Sequence, residues 1–319
     1  MASEVEVVIP HWNEADRLRK TLEALDRQSE PAGVCVADNA STDGTGELLE
    51  EFAHVRTVRM ARNEGFGRAV NEGVRTSEAA LVILLNNDAV PEPDFVQELA
   101  GAWRRTGAAM VAGCLRRRDG AIDTLGTQVD ESLGSYDYCH GEPYPPPAGS
   151  VPPAGSVPFA PSGGAAGFDR GTFLALGGFD PRFFAYLEDV DLGIRMRLEG
   201  HRCEVAPAAV AWHDSSATLG SGSAAKNRLM GRSREYLLWK WGRNLTPAER
   251  IRGALVHFAV YAGQAVIDRN AAAANGRLQM RRELPRERPA PVAGFRELPF
   301  APIALRGALR RRMGRRRGA

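Results

Sequence analysis

Long apolar runs are absent from this chain, and no uninterrupted stretch approaches the ~20 residues that a membrane-spanning helix needs. Cysteine is sparse as well. The 4 cysteines, Cys35, Cys114, Cys139 and Cys203, lie far apart with no CxxC pair, which excludes a structural zinc cluster and leaves reduced, mostly buried thiols as the expectation. No basic-then-apolar leader precedes the first strand pattern, so a cytoplasmic location is expected, with peripheral contact at the inner face of the membrane left open. Two phosphate-binding signatures are also missing. The first β-to-α turn lacks GxGxxG, Gly65-Phe66-Gly67 does not supply it, and no GxxxxGK[ST] occurs anywhere. Aromatic residues do not accompany the C-terminal arginines, which argues against nucleic-acid binding.

What is there suffices for one substantial core plus a small second domain or extension, at 319 residues and 44% hydrophobic content. The net charge of +2 conceals a crowding of arginine in the last third. The stretch Leu81-Val82-Ile83-Leu84-Leu85 has the unbroken apolar pattern of a strand buried on both faces, and it ends in Asn86-Asn87-Asp88. Around it, strand and helix alternate. Glu4 to Pro10 reads as a strand, followed by the loop His11-Trp12-Asn13-Glu14 and a helix carrying Leu18, Leu22 and Leu25. Gly33 to Asp38 and Val55 to Met60 read as further strands, with helices near 46–52 and after Asn63. This order predicts an α/β fold, a Rossmann-like, mainly parallel sheet flanked by helices, with polar loops gathered at the carboxyl ends of the strands.

Four strings then resemble successive motifs of the family 2 glycosyltransferases of GT-A fold. They are Val8-Ile9-Pro10 with Asn13; Asp38-Asn39-Ala40-Ser41-Thr42-Asp43-Gly44-Thr45; Asn63-Glu64-Gly65-Phe66-Gly67 with Asn71 and Gly73; and Leu85-Asn86-Asn87-Asp88. The resemblance runs to about Trp241, is strongest to rhamnosyltransferase-like members, and implies an inverting transfer from a nucleotide-diphospho-sugar. It places Pro10, Asn13, Glu14, Asp38, Asn63, Gly65, Phe66, Asn86 and Asn87 around the donor, and Asp88 on a divalent cation, manganese or magnesium. The family's metal motif has two aspartates separated by one residue, whereas the first position here is Asn86, so the site has lost a charge.

Downstream, Gly177-Gly178-Phe179-Asp180 precedes Tyr186-Leu187-Glu188-Asp189-Val190-Asp191-Leu192. Acidic residues favour a helix N-terminus on electrostatic grounds alone. The arrangement also resembles the family's acceptor-side motif, and by that match Asp189, beside Glu188, is the catalytic base. His213, after an apolar stretch read as a strand pair or hairpin over Arg202 to Trp212, resembles the family's histidine that reaches the metal, and a purely structural role is the alternative. Arg68, Arg232 and Arg234 are candidates for the phosphates, since arginine forks suit them, although arginine is also common on solvated helices.

The catalytic domain is expected to span residues 1–241, and residues 242–319 a helical extension and basic tail. The proline-rich segment 144–161 reads as an extended surface loop, either an inert insertion or a lid over the acceptor. A helix from Pro247 to Ile267, with Thr246 as its N-cap, completes the core, forms a homodimer or lies on a membrane. The arginine-rich end reads as a membrane-surface anchor or a disordered tail. The expected acceptor is a saccharide or lipid-linked saccharide of the cell envelope. A nucleotidyltransferase on a similar sheet and an inactive sugar-nucleotide-binding protein are the competing readings. The first would need a glycine-rich basic loop where His11-Trp12-Asn13-Glu14 stands, and the second is opposed by intact Glu188-Asp189.

Overall fold

The computed structural model describes residues 3–146, 158–213, 223–267 and 269–302, and only the backbone of Gln264, Val266 and Ile267. The chain forms two compact units, one of Met1–Gln128 and Tyr136–Thr218, the other of Val129–Ser135 and Leu219–Ala319. Residues 147–157 of the proline-rich segment, the serines and threonine after His213, and the arginine-rich end lie outside the described residues.

The first unit opens with the expected alternation: β1 (Val5–His11), α1 (Ala15–Leu25), β2 (Gly33–Asp38), α2 (Thr45–Glu51), β3 (Arg56–Arg59), α3 (Phe66–Arg75) and β4 (Leu81–Leu85). The chain continues with β5 (Ala89–Pro91), α4 (Phe95–Thr106), β6 (Met110–Arg116), β7 (Ile122–Thr124), β8 (Thr127–Val129), β9 (Ser135–Asp137), β10 (Ala165–Asp169), α5 (Arg170–Ala175), α6 (Glu188–Leu198) and β11 (Cys203–His213). Nine strands join one sheet in the order β3-β2-β1-β4-β10-β6-β11-β5, with β7 paired to β6, while β8 and β9 pair separately. β3, β2, β1 and β4 run parallel, as do β6 and β11. All five residues of β4 are buried, as their unbroken apolar run requires, and truncating one of them to alanine would cost about 2–5 kcal/mol.

Two elements depart from the sequence expectation. β10 lies antiparallel between β4 and β6, in a stretch whose glycine and alanine content carries no strand signal. Space is limited at its glycines: a Cβ at Gly164, just before the strand, would lie 3.0 Å from Asn86 Nδ2, and one at Gly167, within it, 3.4 Å from Val111 Cβ. The stretch read as a strand pair is a single strand, β11, whose register against β6 shifts between Val205 and Val210. Pro207 lies within that shift and has no N–H for the ladder, so the strand bulges and continues without turning back. The end of the proline-rich segment is tied down, since Arg197 of α6 donates to Phe159 O (2.6 Å) and Pro158 O (2.8 Å).

The second unit contains α7 (Ala224–Trp241), α8 (Pro247–Ile267) and α9 (Ala272–Glu283). It takes in α7, so the division falls near residue 218 and not near 241. The physical reason is the close approach of α7 to α9: a Cβ at Gly231 would lie 2.0 Å from Ala273 O, and one at Gly276 2.1 Å from Arg228 O. Glu235 of α7, buried, accepts from Arg277 (2.7 Å) and Arg281 (2.6 Å) of α9. α8 starts at Pro247 as expected, on a reciprocal cap in which Glu249 N donates to Thr246 Oγ1 (3.2 Å) and Thr246 N to Glu249 Oε2 (2.7 Å).

Candidate active site

Parallel pairing of β1 with β2 and β4 brings three strand ends together in the first unit. His11 and Asp38 are register partners at the ends of β1 and β2. Asp38 is buried, accepts from Ser41 N (2.9 Å) and lies 3.4 Å from Arg59 Nε. Asn13 and Glu14 both adopt left-handed backbone (φ 59° and 67°), a conformation that costs energy in non-glycine residues and clusters at functional loops. Asn13 is held to the next loop, donating its N–H to Ser41 Oγ (2.8 Å) and accepting from Thr42 N (2.9 Å). Glu14 pairs with Arg17 (3.4 Å), and Pro10 is buried within β1.

His11, read from sequence as a loop residue, ends β1 and organises this corner. Asn87 Nδ2 lies 3.0 Å from its Nδ1, its Nε2 lies 2.9 Å from Thr45 Oγ1, and Thr45 donates to Asp43 (2.5 Å). An amide N–H can only donate, so Nδ1 accepts and Nε2 carries the proton. Burial, opposed by the charges of Asp38 and Asp43, lowers the His11 pKa to about 4, which keeps the imidazole neutral. The Asn87 side chain is therefore oriented by the β1 end, and the Asn87 backbone carbonyl accepts from Thr21 Oγ1 of α1 (3.0 Å).

The turn before α3 is fastened on two sides. Asn39 donates to Gly65 O (3.0 Å) and accepts from Glu64 N (2.8 Å), Asn63 accepts from Gly65 N (3.0 Å), and Phe66 N donates to Phe184 O (2.8 Å). Gly65 has φ +91°, and a Cβ there would stand 2.2 Å from Phe184 O. Asn71 clamps the turn at Gly178-Phe179, donating to Phe179 O (2.8 Å) and accepting from Phe179 N (2.9 Å). The early and late motifs are thereby joined: the Asn63–Asn71 segment holds the segment that leads into α6. Arg68 pairs with Glu64 (3.0 Å).

At the β4 end, Asn86 N donates to Gly164 O (3.2 Å) and Asn86 O accepts from Ala89 N (3.1 Å). Asp88 points at His213, the last residue of β11, whose Nε2 is 3.3 Å from Asp88 Oδ1. That oxygen is buried and takes no hydrogen bond. On the other side of the ring, His213 Nδ1 lies 2.8 Å from Asp123 Oδ2 of β7. Burial works to lower the His213 pKa, but the hydrogen bond to Asp123 and the charges of Asp88 and Asp123 outweigh it and raise it to about 9.

Glu188 and Asp189 open α6. Tyr186 and Leu187, immediately before them, both have left-handed backbone (φ 71° and 69°). Asp189 Oδ1 accepts from Val190 N (2.8 Å), and Oδ2 lies 3.4 Å from Gly163 N. Burial, with help from Asp137, raises the Asp189 pKa to about 6 against these amide contacts. Glu188 is pushed well above the usual carboxylate range by burial and by Asp189, and its Oε2 takes no hydrogen bond. Tyr186, raised to about 12 by burial and by the charges of Glu188 and Asp88, senses both acidic sites. α6 is anchored through Arg195, which bonds Asp191 (2.9 Å), Leu176 O (2.7 Å) and Gly178 O (2.7 Å).

The sequence model of Glycosyl transferase family 2 matches residues 6–168. The chain belongs to that family. This family 2 glycosyltransferase is 28% identical over 249 residues, 70% of its length and 80% of the relative's, to an N-acetylglucosaminyl-diphospho-decaprenol L-rhamnosyltransferase of Mycobacterium tuberculosis. Among solved structures, it resembles a Pyrobaculum calidifontis mannosyltransferase in complex with GDP-Man and Mn2+, with a TM-score of 0.55 at 19% identity, covering 89% of this chain and 77% of that one. It also resembles GalNAc-T7 with UDP, GalNAc and Mn2+, with a TM-score of 0.57 at 17% identity, over 75% of this chain and 48% of the other. Those two likenesses establish the GT-A fold.

The residues of this glycosyltransferase suit a divalent cation held jointly with a ligand. No three His, Cys, Asp or Glu side chains converge as a self-sufficient metal site among the described residues. The donor set at the β4 end is nevertheless apt: a buried carboxylate oxygen without a hydrogen bond, facing a ring nitrogen whose opposite nitrogen is fixed by Asp123. A metal-binding histidine characteristically donates its other N–H to a carboxylate in this way, and ligand oxygens would have to complete the donor set.

Arg232 and Arg234 belong to the second unit. Arg232 forms a two-point pair with Glu283 (2.9 and 2.6 Å). Arg234 is buried, donates to Ser132 O (2.6 Å) and also contacts Leu133 O and His257. Both guanidinium forks are thus engaged in packing of that unit. Sequence reasoning passed over His11, Asn39, Asp123 and Asp137. His11 and Asn39 lie beside or inside the motifs, whereas Asp123 and Asp137 sit on short strands with no motif around them.

Proposed function

We propose that this glycosyltransferase moves a sugar, L-rhamnose in the first instance, from a nucleotide-diphospho-sugar to a hydroxyl of a lipid-linked saccharide during cell-envelope polysaccharide assembly, inverting the anomeric centre. The single observation that carries the reading is the presence, within one unit, of a buried Asp88 oxygen 3.3 Å from His213 Nε2 together with a raised-pKa Asp189 at the head of α6. The name of the mycobacterial relative motivates the sugar and the lipid-linked acceptor.

In this reading Asp38, Asn13 and the Asn63–Phe66 turn bind the nucleoside, and Asn86 and Asn87 line the approach to the diphosphate. Asp88 and His213 would hold Mn2+ or Mg2+, which when bound neutralises charge on the departing diphosphate. Asp189, ionised above pH of about 6, takes the acceptor hydroxyl proton as that oxygen bonds to the anomeric carbon. The bond from that carbon to the diphosphate breaks with its electron pair leaving on the diphosphate oxygen. Glu188 is pushed above the usual carboxylate range by burial and by Asp189, and Asp191 is paired with Arg195 (2.9 Å), which leaves Asp189 as the carboxylate suited to take the proton. Arg232 and Arg234 take no part in the reading, since their forks are occupied.

A thermal-shift screen of nucleotide-sugars with and without Mn2+ tests it, because a bound donor stabilises by mass action. Stabilisation by a dTDP- or UDP-sugar that increases with Mn2+, followed by transfer to a polyprenyl-diphosphate-linked sugar, is the expected result. Absence of any nucleotide-sugar response overturns it.

A further inference from the structure

α8 turns its large apolar residues outward. Ile251 and Leu255 are each 63% exposed and Phe258 is 74% exposed, and Ala254, Ala262 and Ala265 are exposed beside them. At about 100° per residue these six positions fall in one sector of the helix, and no charged residue interrupts it. The opposite side is buried through Gly253 and Val256, with Gly253 so close that a Cβ would lie 2.7 Å from Ser132 Cβ. Exposed Arg250 and Arg252 lie about 100° to either side of Ile251. A helix that buries glycine and exposes isoleucine, leucine and phenylalanine has its solvent pattern inverted, and a contiguous outward apolar surface marks something that covers it.

Charge says what covers it. Residues 219–319 hold 22 of the 41 Lys and Arg but only 6 of the 39 Asp and Glu, while residues 1–218 hold 19 basic and 33 acidic residues. The near-neutral total therefore joins a strongly acidic segment to a strongly basic one, and α8 lies in the basic one. A two-fold dimer through α8 would set the same patch against itself and press two strongly positive regions together. An anionic bilayer has the opposite preference: it attracts the basic segment, accepts the apolar side chains and lets flanking arginines reach the headgroups. Among the described residues no helix is long and apolar enough to cross a membrane, so α8, about 31 Å long, would lie in the plane of the interface.

We propose that α8 is an in-plane anchor that inserts Ile251, Leu255 and Phe258 at the boundary between headgroups and acyl chains of an anionic bilayer. The proposal concerns where the enzyme sits. It stands apart from the assignment of sugar, metal or base, so its failure and theirs are separately visible.

The test is flotation of the full-length protein with vesicles of equal phosphatidylglycerol and phosphatidylcholine, and with phosphatidylcholine alone. Binding should favour the anionic vesicles and weaken with salt, and the pair Leu255→Ser and Phe258→Ser should reduce it at least about tenfold while leaving the thermal unfolding midpoint close to that of the parent. A tryptophan introduced by Phe258→Trp should be quenched by acyl-brominated lipid beyond the quenching of the parent's own tryptophans. Unchanged binding of the serine pair, or no added quenching at Phe258→Trp, overturns the proposal. So does sedimentation showing that the serine pair converts a dimer to a monomer, which assigns the face to a second copy.

Discussion

Asp123 Oδ2 sits 2.8 Å from His213 Nδ1, on the far side of the ring from Asp88. One hydrogen bond therefore decides which nitrogen of His213 faces the carboxylate at the β4 end. Replacing Asp123 by Asn keeps an acceptor but removes the charge that, in the proposed function, would strengthen the ring as a ligand. Mn2+ affinity measured by paramagnetic resonance in the presence of donor should fall about 10–100-fold, with the circular dichroism spectrum unchanged. Unaltered affinity would separate Asp123 from the metal.

Asp189→Asn should lower transfer by about 10²–10⁴-fold and leave donor affinity, read by calorimetry, within a few-fold of the parent. Retained turnover would remove Asp189 as the base.

The raised pKa of Asp189 gives two pH dependences of known sign. Activity should fall as pH drops through about 6, because the proposed base becomes protonated. Stability follows the opposite course. An acid whose folded pKa is about 6 and whose ordinary value is 3.8 binds its proton more tightly in the folded state, so ionising it costs stability above about 6 and costs nothing below the ordinary value. Asp189→Asn should therefore melt at a higher temperature than the parent at pH 8, with the difference shrinking towards pH 4.

Gly65→Ala combines a positive φ with a carbonyl in the space a Cβ needs. It should destabilise the protein by about 1–3 kcal/mol in urea unfolding and weaken donor binding, because the Asn63–Phe66 turn would lose its hold on Phe184.

Asn71→Ala removes both bonds of the clamp on Phe179, at about 1–3 kcal/mol. The expected signature is a loss of turnover exceeding the loss of donor affinity, since the clamp holds the segment leading to Asp189.

Patterns that depend on local periodicity were legible in the chain. β4 and the alternation through α3 follow from apolar runs and helical spacing, and the start of α8 follows from Thr246-Pro247 chemistry. What resisted reading depends on contacts distant in sequence. β10 is a strand because β4 and β6 offer it pairing edges on both sides, a property of its neighbours. Asp123 is meaningful only because β7 pairs with β6 beside the end of β11. The division near residue 218 reflects glycine contacts between α7 and α9, some 45 residues apart in the chain. Arg232 and Arg234 show the same dependence, for the partners they have here, Glu283 and Ser132 O, lie far from them in the chain.

The antiparallel insertion of β10 also governs how the chain comes off the ribosome. β4 has β1 on one side as soon as it emerges, but its other edge is covered only by residues 165–169, pairing with 81–85. Until then five consecutive apolar residues present an open ladder of N–H and C=O groups, the feature that templates intermolecular pairing. A fragment ending before Ala165 should carry the parallel β3-β2-β1-β4 half and still aggregate, whereas one ending just after Asp169 should gain solubility from the five residues that close the β4 edge.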